Sequence, residues 1–338
     1  MLNKNELVGL IKAVVKANPS QAIAYSCGDK QYSYDTLNET LRREFNEIAG
    51  TYADYRENKN TLFALIETAL NEVLPKKVLE QYGAFAEVKT FAQGDKPVFT
   101  RKLGKNRAKQ FITKVGLAGI YEVFKLGSEA IEVTTTAYGG AAQIGLEEFL
   151  DGKVDFAELT TILFEGMDEA VYKEIASALI ATVDNLPSAN KHVEATKFDE
   201  TNFDKLIAVA DAYGPATIYC TFEFAATMAP ADTWISDAMR DNRWANGYFT
   251  TYKGHKVVIL PQSFEDEKND KKVIDPSYCW IIPGGDAKPV KIAFEGSMIV
   301  DEYVNADRSR EIQAYQKFGV ATVVTNDIAV YRNTTLVK

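Results

Sequence analysis

The stretch VDFAELTTILFEGMDEAVYKEIASALIATVD, residues 154–184, carries a long helical pattern. Asp155, with Glu158 three positions later, is typical of the pair that caps a helix N-terminus. The apolar side chains recur three and four positions apart and form one face: Leu159, Leu163, Met167, Ala170, Val171, Ile175, Ala178 and Leu179. We therefore predict a helix over residues 155–183, about 40 Å long at 1.5 Å per residue, and expect it to be the longest in the chain.

Three further helical stripes precede this helix. The first stripe ends at Asn18-Pro19, and the third stops before Pro75, where a proline is expected to end a helix. The stripes consist of Leu7, Leu10, Ile11, Val14 and Val15; of Leu37, Leu41, Phe45 and Ile48; and of Leu62, Leu65, Ile66, Ala69, Leu70 and Val73. The first eighty residues are therefore predicted to be mainly helical.

Residues 83–145 have a different pattern. AFAEVKTF (84–91) and IEVTTTAY (131–138) are typical of strands, and glycines interrupt every longer pattern. This combination predicts a long hairpin with few large apolar residues. Such a hairpin is marginally stable alone and needs a surface to lie on, which another copy of the chain could supply.

The sequence after the long helix alternates between helix and strand patterns. Residues 202–214 predict a short helix closed by Gly214, and residues 248–261 predict a hairpin turning at Lys253-Gly254. Further strands are predicted at ATIYCTFEF (216–224), SYCWII (277–282), KPVKIAFEGSMIVDEY (288–303) and FGVATVVTNDIAVYR (318–332). These patterns predict an α+β fold.

Composition excludes several classes of protein. The chain has 338 residues, a formal net charge of -9 and no apolar run of the roughly 20 residues that a membrane helix needs. Its first residues lack a signal-peptide pattern, so we expect a soluble intracellular protein. Cys27, Cys220 and Cys279 show no paired spacing, which argues against a disulfide framework and a zinc site. The acidic balance disfavours a general nucleic-acid binder.

The sequence contains no motif that indicates an active site. Residues 147–158 match only the second half of a calcium-binding EF-hand loop, since Phe149 stands where an oxygen ligand is required. The two histidines, His192 and His255, lie in no catalytic motif, and nucleotide-binding and nucleophile motifs are missing from the sequence. We predict no catalytic residue, metal or cofactor, although sequence alone leaves open an acid pair assembled in space.

Charge is distributed unevenly. Residues 96–114 hold seven basic side chains and no acidic one, whereas residues 147–184 hold ten acidic side chains against two lysines. If the two segments lie on different faces, copies of the chain could attract one another through them. The alternative is that both are solvated surfaces that never meet.

The order of these elements resembles the major capsid proteins of tailed bacteriophages, the Hong Kong 97 type. The resemblance covers roughly residues 75–335 and rests on the hairpin, TTTAYGGAAQIGLEEF (134–149), the long helix, KPVKIAFEG (288–296) and EIQAYQKFGVATVVTNDIAVYR (311–332). It implies a phage major capsid fold with five parts: a helical N-terminal arm (1–82), an E-loop hairpin with its return strand (83–146), a P domain with a spine helix (147–200), an A domain (201–287) and the completion of the P domain (288–338).

The resemblance also implies a function. Copies of the chain would form hexamers and pentamers of an icosahedral shell around double-stranded DNA, without sequence-specific DNA contact, without a cofactor and without a membrane partner. Portal and scaffolding or decoration proteins are the implied partners, and the virion capsid, assembled in the host cytoplasm, is the implied location. The first eighty residues could be a structural arm, an internal scaffold-like segment or a part removed later.

Two alternatives stay open. One is an encapsulin-like compartment around protein cargo, and the other is a DNA-binding or calcium-regulated protein.

The basic run then has a candidate role. We expect basic side chains of the hairpin to rest on acidic side chains of an adjacent subunit. The basic set is Arg101, Lys102, Lys105, Arg107 and Lys109, and the acidic set is Glu158, Glu165, Asp168, Glu169 and Glu174. Single exposed ion pairs contribute only about 0–1 kcal/mol, but their repetition around a shell can set register and orientation.

Overall fold

The computed structural model describes most of the chain. The described residues are 3–16, 25–27, 30–32, 34–102, 128–144, 155–195, 197–228, 236–260, 262–264, 266, 268–284, 288–306, 309–323 and 325–336. The helices are α1 Lys4–Lys16, α2 Tyr34–Ala49, α3 Tyr52–Tyr82, α4 Phe156–Thr182, α5 Glu200–Asp211, α6 Phe222–Thr227 and α7 Asp237–Asn246. Within these ranges, each helix is too short or too polar to cross a bilayer.

The strands form two larger sheets and two small hairpins. They are β1 Tyr25–Cys27, β2 Lys30–Tyr32, β3 Ala86–Phe91, β4 Val98–Lys102, β5 Ser128–Glu132, β6 Thr136–Ile144, β7 Lys191–Glu194, β8 Ala216–Cys220, β9 Thr251–Tyr252, β10 His255–Ile259, β11 Tyr278–Pro283, β12 Val290–Val304, β13 Arg310–Thr322 and β14 Ala329–Asn333. β1 pairs with β2, and β4 pairs with β5.

A four-stranded sheet in the order β3-β12-β13-β6 supports the helices. β12 and β13 form its long antiparallel centre, β3 runs parallel to β12, and β6 runs antiparallel to β13. Alternate residues of β12, such as Ile292, Phe294 and Val300, are buried in the main core with residues of α3 and α4. The period-two pattern of residues 288–303 therefore fixes which side chains of β12 face the helices.

A six-stranded sheet has the order β7-β14-β11-β8-β10-β9. α5 packs on it, and Phe203, Phe224 and Ile281 belong to a core separate from that of the four-stranded sheet. Its strands come from three of the predicted parts, since β7 falls in 147–200 and β14 in 288–338. The division into five parts stays a prediction.

The helix predicted over 155–183 is confirmed as α4. The Asp155 carboxylate accepts hydrogen bonds from the backbone N–H groups of Ala157 and Glu158, at 3.0 and 3.2 Å, and so caps the helix. The expectation that this helix is the longest is wrong, because α3 has 31 residues and α4 has 27.

The α3 helix also corrects the expected stop before Pro75. Proline removes the N–H that would bond to the carbonyl of Asn71, at a cost of about 3 kcal/mol in a helix interior. Val78 and Tyr82, beyond the proline, are buried with the rest of the helix face. Tertiary burial of these side chains therefore outweighs the local cost.

The predicted strand at 216–224 is too long. β8 ends at Cys220, and the hydroxyl of Thr221 accepts a hydrogen bond from the N–H of Phe224 to cap α6. The hairpin at Lys253-Gly254 is confirmed, with both residues at positive φ, 47° and 89°.

The N-terminal helices are part of the main core. All three predicted stripes are buried, and their residues share one apolar cluster with α4 and the four-stranded sheet. Lys12 of α1 forms an ion pair of 2.7 Å with Glu72 of α3. In the described residues, α1 and α2 pack against α3 and do not form a detached arm.

Candidate subunit interface

The root of the predicted E-loop hairpin is the pair β4–β5. Val98 lies opposite Glu132 and Lys102 opposite Ser128. Phe99 and Val133 are buried and pack against Ala293 of β12, on the face of the four-stranded sheet opposite the main core. The root therefore finds its supporting surface within the same chain, while the continuation over 103–127 lies outside the described residues.

Glu295 of β12 holds both arms of this root. Its carboxylate accepts hydrogen bonds from the Thr135 hydroxyl, just before β6, and from the N–H of Gly94, between β3 and β4, at 3.1 Å. The Thr135 and Gly94 bonds, aided by the Lys317 ammonium, outweigh burial and hold the pKa of Glu295 below its ordinary value. An ionised carboxylate on β12 thus holds the two segments that flank the root, at Gly94 and Thr135.

The basic set falls mostly outside the described residues. Arg101 and Lys102 lie in β4, opposite Glu129 and Ser128. Lys105, Arg107 and Lys109 lie in the 103–127 gap. The contacts predicted for the basic set therefore stay a prediction.

The acidic set lies on α4, and its members have different environments. Glu158 and Glu165 are exposed. Asp168 pairs with Lys77 of α3 at 2.9 Å, and Glu169 pairs with Lys173 on the same helix at 3.0 Å. These two ion pairs already partly neutralise the middle of the α4 surface.

Glu174 has a partner on the sheet. It accepts a hydrogen bond of 2.6 Å from the hydroxyl of Tyr138 on β6. Burial and this bond raise the pKa of Tyr138 to about 12, so the phenol stays protonated at neutral pH. Glu158 and Glu165 are consequently the most available acceptors of the acidic set.

Sequence analysis missed several exposed apolar side chains. Ile162, 57% exposed, lies on α4 between Glu158 and Glu165, and Trp244 of α7 is 92% exposed. Ile162 lies outside the apolar stripe of α4, and its exposure could therefore have been predicted from the sequence. The short polar helix α7 has no apolar stripe, so the sequence did not indicate whether Trp244 is buried or exposed. Large exposed apolar groups are compatible with contact surfaces.

One cluster has metal-binding residue types. His192, Glu194 and Asp199 offer ligand atoms within 4.8 Å of one another. The Asp199 carboxylate, however, already accepts hydrogen bonds from the N–H groups of Thr201 and Asn202 and caps α5. Helix capping therefore accounts for the position of Asp199, while His192 and Glu194 lie 3.6 Å apart on β7. Of the EF-hand-like loop, residues 147–154 lie outside the described residues, and Asp155 serves as the cap of α4.

Asp155 links the α4 cap to the N-terminal helices, because it also forms an ion pair of 2.6 Å with Arg42 of α2. We expect Asp155→Ala to lower the free energy of unfolding by about 1–2 kcal/mol, through loss of the cap. Asp155→Asn keeps a capping oxygen and loses only a partly exposed ion pair, for which about 0–1 kcal/mol is expected. Denaturant unfolding of both variants measures the difference, and equal losses would contradict the capping role.

Solved capsid structures share this fold. The chain is similar to the bacteriophage PhiM1 mature capsid, with 8% identity and a TM-score of 0.53 over 75% of this chain and 86% of that chain. It is similar to the capsid of cyanophage P-SCSP1u, with 9% identity and a TM-score of 0.50 over 75% and 87%. It is also similar to the capsid of the native GTA particle, with 14% identity and a TM-score of 0.50 over 75% of this chain and 89% of that chain. The fold is that of phage major capsid proteins, as the sequence resemblance implied.

The family follows from a second finding. The chain matches, over residues 6–332, the model of a protein family that is described as "SPbeta prophage-derived putative capsid protein YonB". The chain therefore belongs to this capsid protein family. A search of curated proteins gave no match.

Proposed function

We propose that this protein is a major capsid protein whose copies form the hexamers and pentamers of an icosahedral shell around double-stranded DNA. The observation that carries the proposal is the family match over residues 6–332. The role is structural and not enzymatic, the location is the virion capsid, and assembly takes place in the host cytoplasm. Portal and scaffolding or decoration proteins are the further partners.

The fold supports a self-assembling role. A shell needs large heterologous interfaces and projecting elements that reach neighbouring subunits. The hairpin root is fixed on the body by Phe99 and by Glu295, and it continues into the basic run. The net charge of -9 is compatible with packaged DNA that is enclosed without tight binding.

The contact between subunits follows from the same features. We assign the basic set of the hairpin to the acidic set on α4 of a neighbour, with Glu158 and Glu165 as the main acceptors because both are exposed. Ile162 lies between these two carboxylates and adds apolar contact area. Charge then orients the hairpin, while apolar burial contributes affinity.

Electron microscopy of the purified full chain tests the proposed function. Uniform closed particles with fivefold vertices are expected. Nuclease-protected DNA in particles from the native source is also expected, whereas protein cargo would favour the encapsulin-like alternative. A chain that stays monomeric at high concentration, with and without its neighbouring gene products, would contradict a shell role.

Charge reversal tests the proposed contact. Lys102→Glu, Lys105→Glu and Arg107→Glu together should reduce particle yield by about tenfold, because like charges then face each other at every copy of the contact. The matched control reverses three exposed lysines elsewhere, Lys4, Lys256 and Lys268, with the same change in net charge.

Restoration makes the contact test specific. Adding Glu158→Lys and Glu165→Lys to the triple variant is expected to recover yield, because the two signs are then exchanged across the interface. Normal yield and salt tolerance of the triple variant would show that the basic run is only solvated surface.

A further inference from the structure

Two buried cysteines face each other across the six-stranded sheet. Cys220 ends β8, Cys279 lies in β11, and the antiparallel register places them directly opposite. Both side chains are fully buried and both thiols are free. The two cysteines are 59 positions apart in the sequence, and this spacing gave no sign of the pairing.

The hydrogen-bond pattern shows which kind of pair they form. The N–H of Gly284 donates to the carbonyl of Pro215 at 2.8 Å, so the 215–284 pair is of the hydrogen-bonded kind. The two kinds alternate along an antiparallel ladder, and Cys220–Cys279 lies an odd number of positions away. It is therefore a non-hydrogen-bonded pair.

This kind of pair has the spacing that a disulfide needs. Cα atoms of non-hydrogen-bonded pairs lie about 4.5 Å apart, and disulfides span about 4.4–6.8 Å between Cα atoms. Both cysteines belong to one apolar core with Phe224 and Ile281. Because the two residues are directly opposite, their side chains lie on the same face of the sheet. Burial and the neighbouring Cys220 thiol raise the pKa of the Cys279 thiol.

We propose that Cys220 and Cys279 are a latent cross-strand disulfide site, which peroxide oxidises when the sheet opens transiently. A Cys thiolate attacks one peroxide oxygen, the O–O bond breaks and a sulfenic acid forms with release of water after protonation. The second thiol then attacks the sulfenic sulfur, the S–S bond forms and a second water leaves. Two thiols thus lose two electrons and two protons to one hydrogen peroxide.

The disulfide would stabilise the sheet and be protected from reductants. It links β8 to β11, closes a loop of the chain between them and so reduces the conformational freedom of the unfolded chain. Because the closed sheet buries both sulfur atoms, reductants reach the bond only on opening. The proposal concerns the chain itself and does not depend on shell assembly.

The test uses the full chain with Cys27→Ser, which leaves Cys220 and Cys279 as its two cysteines. The protein is incubated with hydrogen peroxide a few degrees below its thermal midpoint, denatured in N-ethylmaleimide and digested without reduction. We expect a Cys220–Cys279 linked peptide by mass spectrometry and a rise in midpoint of about 5 °C that dithiothreitol reverses. Adding Cys220→Ser or Cys279→Ser should abolish both results.

Two outcomes would overturn the proposal. Recovery of both cysteines as maleimide adducts would show that the pair does not oxidise even when the sheet opens. Separate oxidation of each thiol to sulfinic acid, without a linked peptide, would show that the two sulfur atoms cannot meet.

Discussion

Replacing Glu302 with alanine is expected to lower the free energy of unfolding by about 3–5 kcal/mol. The Glu302 side chain is only 2% exposed, and it accepts hydrogen bonds from Lys59 at 2.7 Å and from Arg310. Arg310 is itself largely buried and also donates to the Tyr52 hydroxyl at 3.0 Å. Removing the carboxylate takes away a charged partner that Arg310 and Lys59 share in the interior, which causes the large loss.

Denaturant unfolding followed by circular dichroism measures this loss. The matched control is Asp301→Ala, because Asp301 is the exposed neighbour on the same strand, and a change within about 0.5 kcal/mol is expected. Glu302→Gln keeps the shape of the side chain and should fall between the two. Equal effects of the Glu302 and Asp301 alanine variants would show that the buried ion pairs contribute no stability.

The same group predicts a pH dependence. Burial opposes ionisation of Glu302, but hydrogen bonds and charges from Lys59 and Arg310 outweigh it and hold its pKa below the ordinary value. A carboxyl with a lowered pKa in the folded state contributes stability above its unfolded pKa and loses it as pH falls through the folded value. Acid unfolding of Glu302→Gln should therefore show a weaker pH dependence than that of the wild-type chain.

Local patterns in the sequence sufficed for the apolar faces of the four long N-terminal and central helices, α1 to α4. The stripes of α1 to α4 each bury one face, and Asp155 caps α4, because both features depend on neighbours a few positions away. The expected end of the helix before Pro75 was wrong because the outcome there depends on distant contacts. The continuation of α3 depends on the burial of Val78 and Tyr82 against distant parts of the chain.

Contacts between distant residues could not be predicted. Lys59 and Glu302 are 243 positions apart, and their pairing depends on how α3 crosses β12. The basic run could be recognised from the sequence alone. The ion pair of Asp168 with Lys77 and the hydrogen bond of Glu174 with Tyr138 could not, because both depend on how α4 packs in the folded chain. Cys220 and Cys279 likewise meet only through the register of β8 and β11.

The second large effect is expected in α1. Leu10 and Ile11 are buried in the main core, where α1 packs on α2 and α3. Truncation of one such side chain costs about 2–5 kcal/mol, so Leu10→Ala with Ile11→Ala should cost roughly 4–10 kcal/mol. That loss is comparable with the whole stability of an ordinary domain, about 5–15 kcal/mol. The double variant should lose cooperative thermal unfolding.

This prediction also decides what the N-terminal segment is. Removal of the segment would expose the apolar side chains of the main core that α1 covers, so we expect the N-terminal helices to stay with the folded chain. The matched control is Lys4→Ala with Asn5→Ala, two exposed positions of the same helix, which should leave unfolding and particle yield unchanged. If Leu10→Ala with Ile11→Ala instead unfolds cooperatively and builds particles at the control's yield, α1 is a dispensable addition. The segment would then be free to act as a scaffold-like or removable part.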